Sequence, residues 1–313
     1  MKPRRSIIIA PANNRKFIQN LSVGEQDVAI LDLEDGVYET EKESARQQCV
    51  DYLRHFSWGN RERVVRINPM DNPHSVRDIE VVVAGQPDAI MLAKAQSADD
   101  VKLASSLIEQ AERKAGLPVG SVKMWSMIET ANALLRVEDI CRADSRMTAV
   151  QFGGGDLCVD LRVKRIGLGA FRRTGWPAIE YIYGRSKLVL AARAAGVDPI
   201  DVCHLTYADL EGTRRVAEYS AQMGFAGALV VSPRQIPVVN EVFTPPAEDI
   251  SWATEVVSKF EAANRNEART IVVVDGDMID GPFVLNARQI LERAELYRKT
   301  DADRKSTNQK AAG

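Results

Sequence analysis

The stretch Asp27–Gly36, DVAILDLEDG, decides how the chain is read. Val28, Ala29, Ile30 and Leu31 form an unbroken apolar run, which fits a strand buried on both faces rather than one with a wetted side. Three carboxylates, Asp32, Glu34 and Asp35, crowd its C-terminal end. Alternation puts Asp32 and Glu34 on one face of the strand and Asp35 on the other. Like charges this close require a cation, a basic side chain or a shared proton. A capped strand end turning at Gly36 is the simpler alternative. The same arrangement, a buried strand with a charged residue at its exit, nevertheless recurs along the chain.

Outward from this stretch, apolar β-type runs alternate with helical patterns. Ser6–Pro11 precedes it, and a helix opens near the cap residues Asn13 and Asn14. After the helical Glu41–Arg54 come the strands Arg63–Pro69, Ala89–Ala95 and Val122–Glu129, then Met147–Asp156, Pro199–Leu205 and Gly227–Pro233. Helical patterns separate them, at Val76–Ala84, Asp99–Lys114, Thr130–Cys141, Ala178–Ala195 and Asp209–Met223. Eight βα units in 313 residues predict an α/β chain folded as a (β/α)8 TIM barrel, which takes ~250 residues. The barrel domain is expected over 1–265 and a C-terminal helical extension, at a subunit interface, over 266–298. Residues 299–313 have almost no large apolar side chain and are expected to be a disordered tail.

Composition narrows the function. Forty-one basic and 43 acidic residues give a net charge of −2, which points to neither a nucleic-acid nor a membrane surface. The N-terminal apolar run is too short for a signal peptide, so a cytoplasmic protein is expected. The four cysteines and three histidines are scattered, so no zinc site, disulfide framework or Ser-His-Asp triad is indicated. The GxGxxG and GxxxxGK[ST] phosphate loops are also missing.

In a barrel, chemistry gathers where several strands end at the C-terminal face. Reading the strand exits gives Glu34 and Asp35, Arg66, Lys94, Glu129 and Asp156. Oxygen ligands without His or Cys suit Mg²⁺, which takes one or two carboxylates and leaves its other positions to water and substrate. Glu129 and Asp156 end neighbouring strands and are the candidate metal ligands. Gly153, Gly154 and Gly155 let backbone approach the ion or a substrate carboxylate. Arg66 is suited to gripping a carboxylate or oxyanion with two prongs, and an ion pair with Glu34 or Asp35 is compatible with that. Lys94 completes the candidate substrate-binding set.

These residues lie within a longer series of motifs. Arg5-Ser6, Asp32-Leu-Glu34-Asp35-Gly-Val37, Lys42 with Ala45-Arg46, Arg66-Ile-Asn68 and Ile128-Glu129-Thr130 come first. Phe152-Gly153 with Asp156-Leu157, Arg185-Ser186, Gly224-Phe225, Pro233 with Gln235-Ile236, Phe243 with Pro245 and Met278-Ile279-Asp280 follow in order. In this series the chain resembles the citrate lyase β-subunit-like family of the HpcH/HpaI aldolase superfamily, over roughly residues 5–295.

The resemblance implies a Mg²⁺-dependent lyase that cleaves a C–C bond in a hydroxyacyl-CoA thioester of the malyl-CoA, citramalyl-CoA or citryl-CoA type. It makes Glu129 and Asp156 the metal ligands and Arg66 the substrate arginine. Glu34 and Asp35 become the acidic pair that orders the metal's water and that arginine. Asp280 becomes an acid or base, often serving a neighbouring subunit in a homotrimer or homohexamer. The alternative for Asp280 is a helix cap ahead of Pro282. Ala93 and Ser232 stand where the family usually has Pro and His. Gly167–Tyr183, with Arg172, Arg173 and Trp176, reads as a loop that shapes substrate choice. Arg15, Lys16, Arg172 and Arg173 are candidates for CoA phosphates. Two other readings stay open, a pyruvate-releasing aldolase acting on a free hydroxy-keto acid and a barrel without turnover that serves as a subunit.

Overall fold

A computed structural model describes residues 2–163, 179–202, 204–267 and 271–312. The predicted strands all form, at β1 Ser6–Pro11, β2 Val28–Asp32, β3 Glu62–Ile67, β4 Ala89–Leu92, β5 Lys123–Ile128, β6 Met147–Phe152, β7 Asp198–Val202 and β8 Gly227–Val230. They pair in parallel in chain order, and β8 closes on β1 to complete a barrel. The helices around them are α1 Arg15–Val23, α2 Lys42–His55, α3 His74–Val82, α4 Ala98–Lys114, α5 Ala131–Leu135, α6 Val137–Arg142, α7 Gly154–Asp160, α8 Ile179–Ala195, α9 Leu210–Met223 and α10 Ile236–Phe243.

Alternation along each strand sorts the side chains into two cores. Ile7, Val28, Ile30, Val64, Ala89, Met91, Trp125, Met127, Ala149 and Ile200 fill the barrel. The opposite strand faces, including Ala29, Leu31, Val65, Ile90 and Ile128, pack beneath the helices. At the N-terminal end, buried Arg4 forms a plug. It donates to both oxygens of Glu62 at 2.7 and 2.8 Å, to Asp198 at 3.0 Å and to the Thr148 carbonyl, and its guanidinium lies 4.9 Å from the Trp125 ring centre. Breaking such a buried pair typically costs about 3–5 kcal/mol, so this end is a fixed floor.

Two expectations about the C-terminal part are corrected. The barrel unit spans Lys2–Phe243, and the second compact unit begins at Thr244 rather than after residue 265. The reason is α11, Ala247–Glu267, whose Ala253 and Val256 share a core with Val274, Ile279, Val284 and Ala287. That unit also holds the hairpin β9 Val272–Val274 and β10 Asp277–Ile279, followed by α12, Gly281–Ala312. The expected disordered tail is therefore helical up to Ala312. Its Ala, Asp, Arg and Lys residues are tolerated or favoured in helices, and Tyr297, Thr300 and Arg304, spaced three and four apart, are buried. The Gly167–Tyr183 reading falls mostly on residues 164–178, so Arg172, Arg173 and Trp176 lie outside the described residues. No helix among the described residues is long and apolar enough to cross a membrane.

Candidate active site

The chemistry-bearing residues of the barrel unit meet at the C-terminal ends of β2 to β6. Asp32 is the last residue of β2, and the parallel register sets it beside Arg66 on β3. Arg66 donates from Nε and Nη2 to the two oxygens of Asp32, both at 2.7 Å. Asp32 also accepts the backbone N–H groups of Glu34 and Gly36, each at 2.9 Å, so a single carboxylate fixes both the turn and the arginine. A Cβ at Gly36 would lie 2.5 Å from Asp32 Oδ2, which excludes a side chain there. Glu34 Oε2 lies 3.0 Å from Arg66 Nη1. The sequence pairs Arg66 with Glu34 or Asp35; Glu34 does pair with it, but its bidentate partner is Asp32, which sequence alone does not single out.

Glu34 is buried and Asp35 is exposed. Lys94 Nζ joins them, at 2.5 Å from Glu34 Oε1 and 3.1 Å from Asp35 Oδ2. Burial would raise the Asp35 carboxyl, but Lys94 and Arg66 outweigh it and hold the group below its ordinary value. Behind the turn, buried Lys42 donates to the carbonyls of Leu33 and Glu34 and to Asn68, which is tied to Asp78 and through it to Arg46. This network holds the acidic turn from below.

Lys94 follows β4 with φ 47°, a left-handed conformation that is unfavourable for a side chain with a Cβ. The turn aims its backbone N–H at Glu129 Oε2, 2.9 Å away. Glu129 lies just past β5 and is buried. Burial drives its carboxyl up to about 8, and the charges of Glu34 and Asp156 add to the rise against the Lys94 amide and Arg66. A carboxyl raised in this way favours folding fully only below its unfolded value, and that contribution is lost as pH climbs towards 8. A cation at Glu129 would reverse the penalty.

Asp156 is carried by a helix rather than by the turn straight after a strand. It sits in the first turn of α7, beyond the end of β6, and is exposed. Of the three glycines before it, Gly153 has a steric reason, because a Cβ there would lie 2.2 Å from Glu129 Cγ. A Cβ at Gly155 would meet nothing within 4 Å, and the Gly154 carbonyl accepts from Tyr181. Gly153→Ala should therefore push Glu129 aside and cut activity about tenfold or more. Its melting temperature should fall as well, because the group that must move is a buried side chain. Wild-type kinetics in that variant would show that the Glu129 position is not critical.

Ser232, where the resemblance expects His, caps a short 3₁₀ turn, Pro233–Gln235, in a reciprocal capping box with Gln235. Asp280 heads α12 in the C-terminal unit, and its carbonyl accepts from Val284 N–H at 3.1 Å. Its side chain makes no cap: Oδ1 is buried without a hydrogen-bond partner among the described residues.

Asp32, Glu34 and Asp35 pair with Arg66 or Lys94, Glu129 accepts the Lys94 N–H, and the acidic donors are all hard oxygens. Among the described residues no three His, Cys, Asp or Glu side chains converge as a ready metal cage. A set of hard oxygen donors without His or Cys is the chemistry that Mg²⁺ takes together with water and substrate.

The profile of the HpcH/HpaI aldolase/citrate lyase family matches residues 5–233. The citrate lyase β subunit of Leuconostoc mesenteroides subsp. cremoris is 32% identical over 300 residues, covering 96% of both chains. The mitochondrial citramalyl-CoA lyase of Rattus norvegicus is 31% identical over 304 residues, covering 93% of this chain and 86% of its own. Protein CitE of Mycobacterium tuberculosis, solved with magnesium, acetoacetate and coenzyme A, superposes with a TM-score of 0.72 at 31% identity, covering 94% of this chain and 98% of its own.

Proposed function

Because the chain belongs to the HpcH/HpaI aldolase/citrate lyase family, we propose that it is a carbon–carbon lyase that splits a hydroxyacyl-CoA thioester of the malyl-, citramalyl- or citryl-CoA type into an acyl-CoA and a 2-oxo acid, with Mg²⁺ bound at Glu129 and Asp156. The observation that carries this reading is buried Glu129, with its raised carboxyl, beside an arginine already fixed by Asp32. Mg²⁺ would supply Lewis-acid polarisation of the substrate oxygen that becomes the keto group.

The side chains account for the rest. Arg66 spends two N–H groups on Asp32 and keeps donors for a substrate carboxylate or a developing enolate oxygen. Lys94 bridges Glu34 and Asp35 and offsets part of the acidic turn's charge beside Glu129. In the cleavage the substrate hydroxyl loses its proton and its C–O bond becomes the keto group. The C–C electron pair passes to the carbon next to the thioester, which must then be protonated. We assign that proton transfer to Asp280 of a neighbouring copy in a homotrimer or homohexamer. The match of Met278-Ile279-Asp280 to the family's motif supports the choice.

The test is a panel of the three thioesters with Mg²⁺, with products identified by mass. Acyl-CoA plus a 2-oxo acid is expected, and Asp280→Asn should retain thioester binding while losing turnover. Release of free CoA with the carbon skeleton intact would overturn the lyase reading. Cleavage of free hydroxy-keto acids but no thioester would favour the aldolase.

A further inference from the structure

We infer that Gln151 is a substrate-positioning residue whose amide hydrogen-bonds the oxygen that changes between hydroxyl and keto, at the floor of the barrel mouth. The inference rests on the lyase reading of that mouth and adds a residue to it.

Gln151 lies on β6 between Ala149 and Gly153. Ala149 belongs to the barrel interior, so alternation turns Gln151 and Gly153 to the same side. Across the ladder Gln151 is in register with Met127 of β5, and Met127 Sδ lies 4.0 Å from Arg66 Nη1. Two residues further along the same strands stand Glu129 and Gly153, so Gln151 sits one layer beneath the proposed ion.

The side chain is 1% exposed, and its Oε1 has no hydrogen-bond partner among the described residues. Buried amide oxygens are nearly always paired, and an unpaired one carries a desolvation penalty. Its neighbours in the interior, Ala149, Met127 and Ile200, are apolar, and Leu or Met at 151 would suit that packing better. A ligand supplies the missing partner. An amide also suits an oxygen that changes character. It carries both an acceptor and a donor, and rotating its last torsion exchanges them. It can accept from the hydroxyl before cleavage and donate to the ketone afterwards. Being neutral, it adds no charge to a mouth already rich in carboxylates.

Gln151→Met and Gln151→Leu provide the test, read by thermal melting, by calorimetric binding of oxaloacetate and pyruvate with Mg²⁺, and by thioester kinetics. Both variants should melt at or above the wild-type temperature, because they remove an unpaired polar group. Their affinity for the 2-oxo acids should fall about three- to tenfold, while coenzyme A binds unchanged. Melting below wild type in both variants would mean that the amide is satisfied within the fold and would overturn the role. So would unchanged 2-oxo acid affinity, or a wild type that binds neither acid. If the wild type cleaves no thioester but its 2-oxo acid binding depends on Gln151, the lyase reading fails and the positioning role stands.

Discussion

Glu129→Gln is expected to lower turnover on the order of 10³-fold while the protein stays folded. Gln keeps the shape of Glu129 and can still accept the Lys94 N–H, so the turn after β4 should survive. It cannot ionise, and it removes the carboxylate best placed to hold a cation. Because burial already opposes charge at this position, the neutral variant should melt at or above the metal-free wild type near neutral pH. Added Mg²⁺ should restore little. Asp156→Asn should act in the same direction but less strongly, since Asp156 is exposed and water can take its place. Unaltered turnover in Glu129→Gln would remove Glu129 from the metal site.

Arg66→Lys should cost about 10²-fold or more in kcat/KM, although the positive charge is kept. The guanidinium spans both oxygens of Asp32 with two parallel bonds, and a lysine ammonium can hold only a point contact there. Either the Asp32 tie or the substrate contact must be given up. Losing the tie also loosens the turn, because Asp32 holds the Glu34 and Gly36 amides. Kinetics near wild type would make Arg66 a structural partner of Asp32 and nothing more.

The barrel was legible because its strands are short, mostly apolar runs that alternate with helical patterns eight times. Their ends were less so. The run Asp27–Gly36 reads as one strand, yet β2 stops at Asp32, whose own carboxylate takes the Glu34 and Gly36 amides and turns the chain. The bond between Asp32 and Arg66 depends on the β2–β3 register, which sequence spacing does not reveal. Gln151 is invisible for a similar reason, because one amide inside VQF reads as an ordinary strand residue. Lys94 shows as a charge at a strand exit, but its left-handed turn towards Glu129 does not. At the C-terminus the polar composition of 299–313 suggested disorder. Helix-compatible residues and the buried stripe Tyr297, Thr300 and Arg304 outweighed it.

We propose Glu129 as the carboxylate that binds the divalent cation. Calorimetric titration of Mg²⁺ into the wild type and Glu129→Gln, repeated from about pH 6 to about pH 9, tests it most directly. Since the carboxyl must lose its proton to bind, wild-type affinity should rise about tenfold per pH unit up to a carboxyl value of about 8 and then level off. Glu129→Gln should bind weakly at every pH, with that slope gone. Equal affinities and equal slopes in the two proteins would contradict the account.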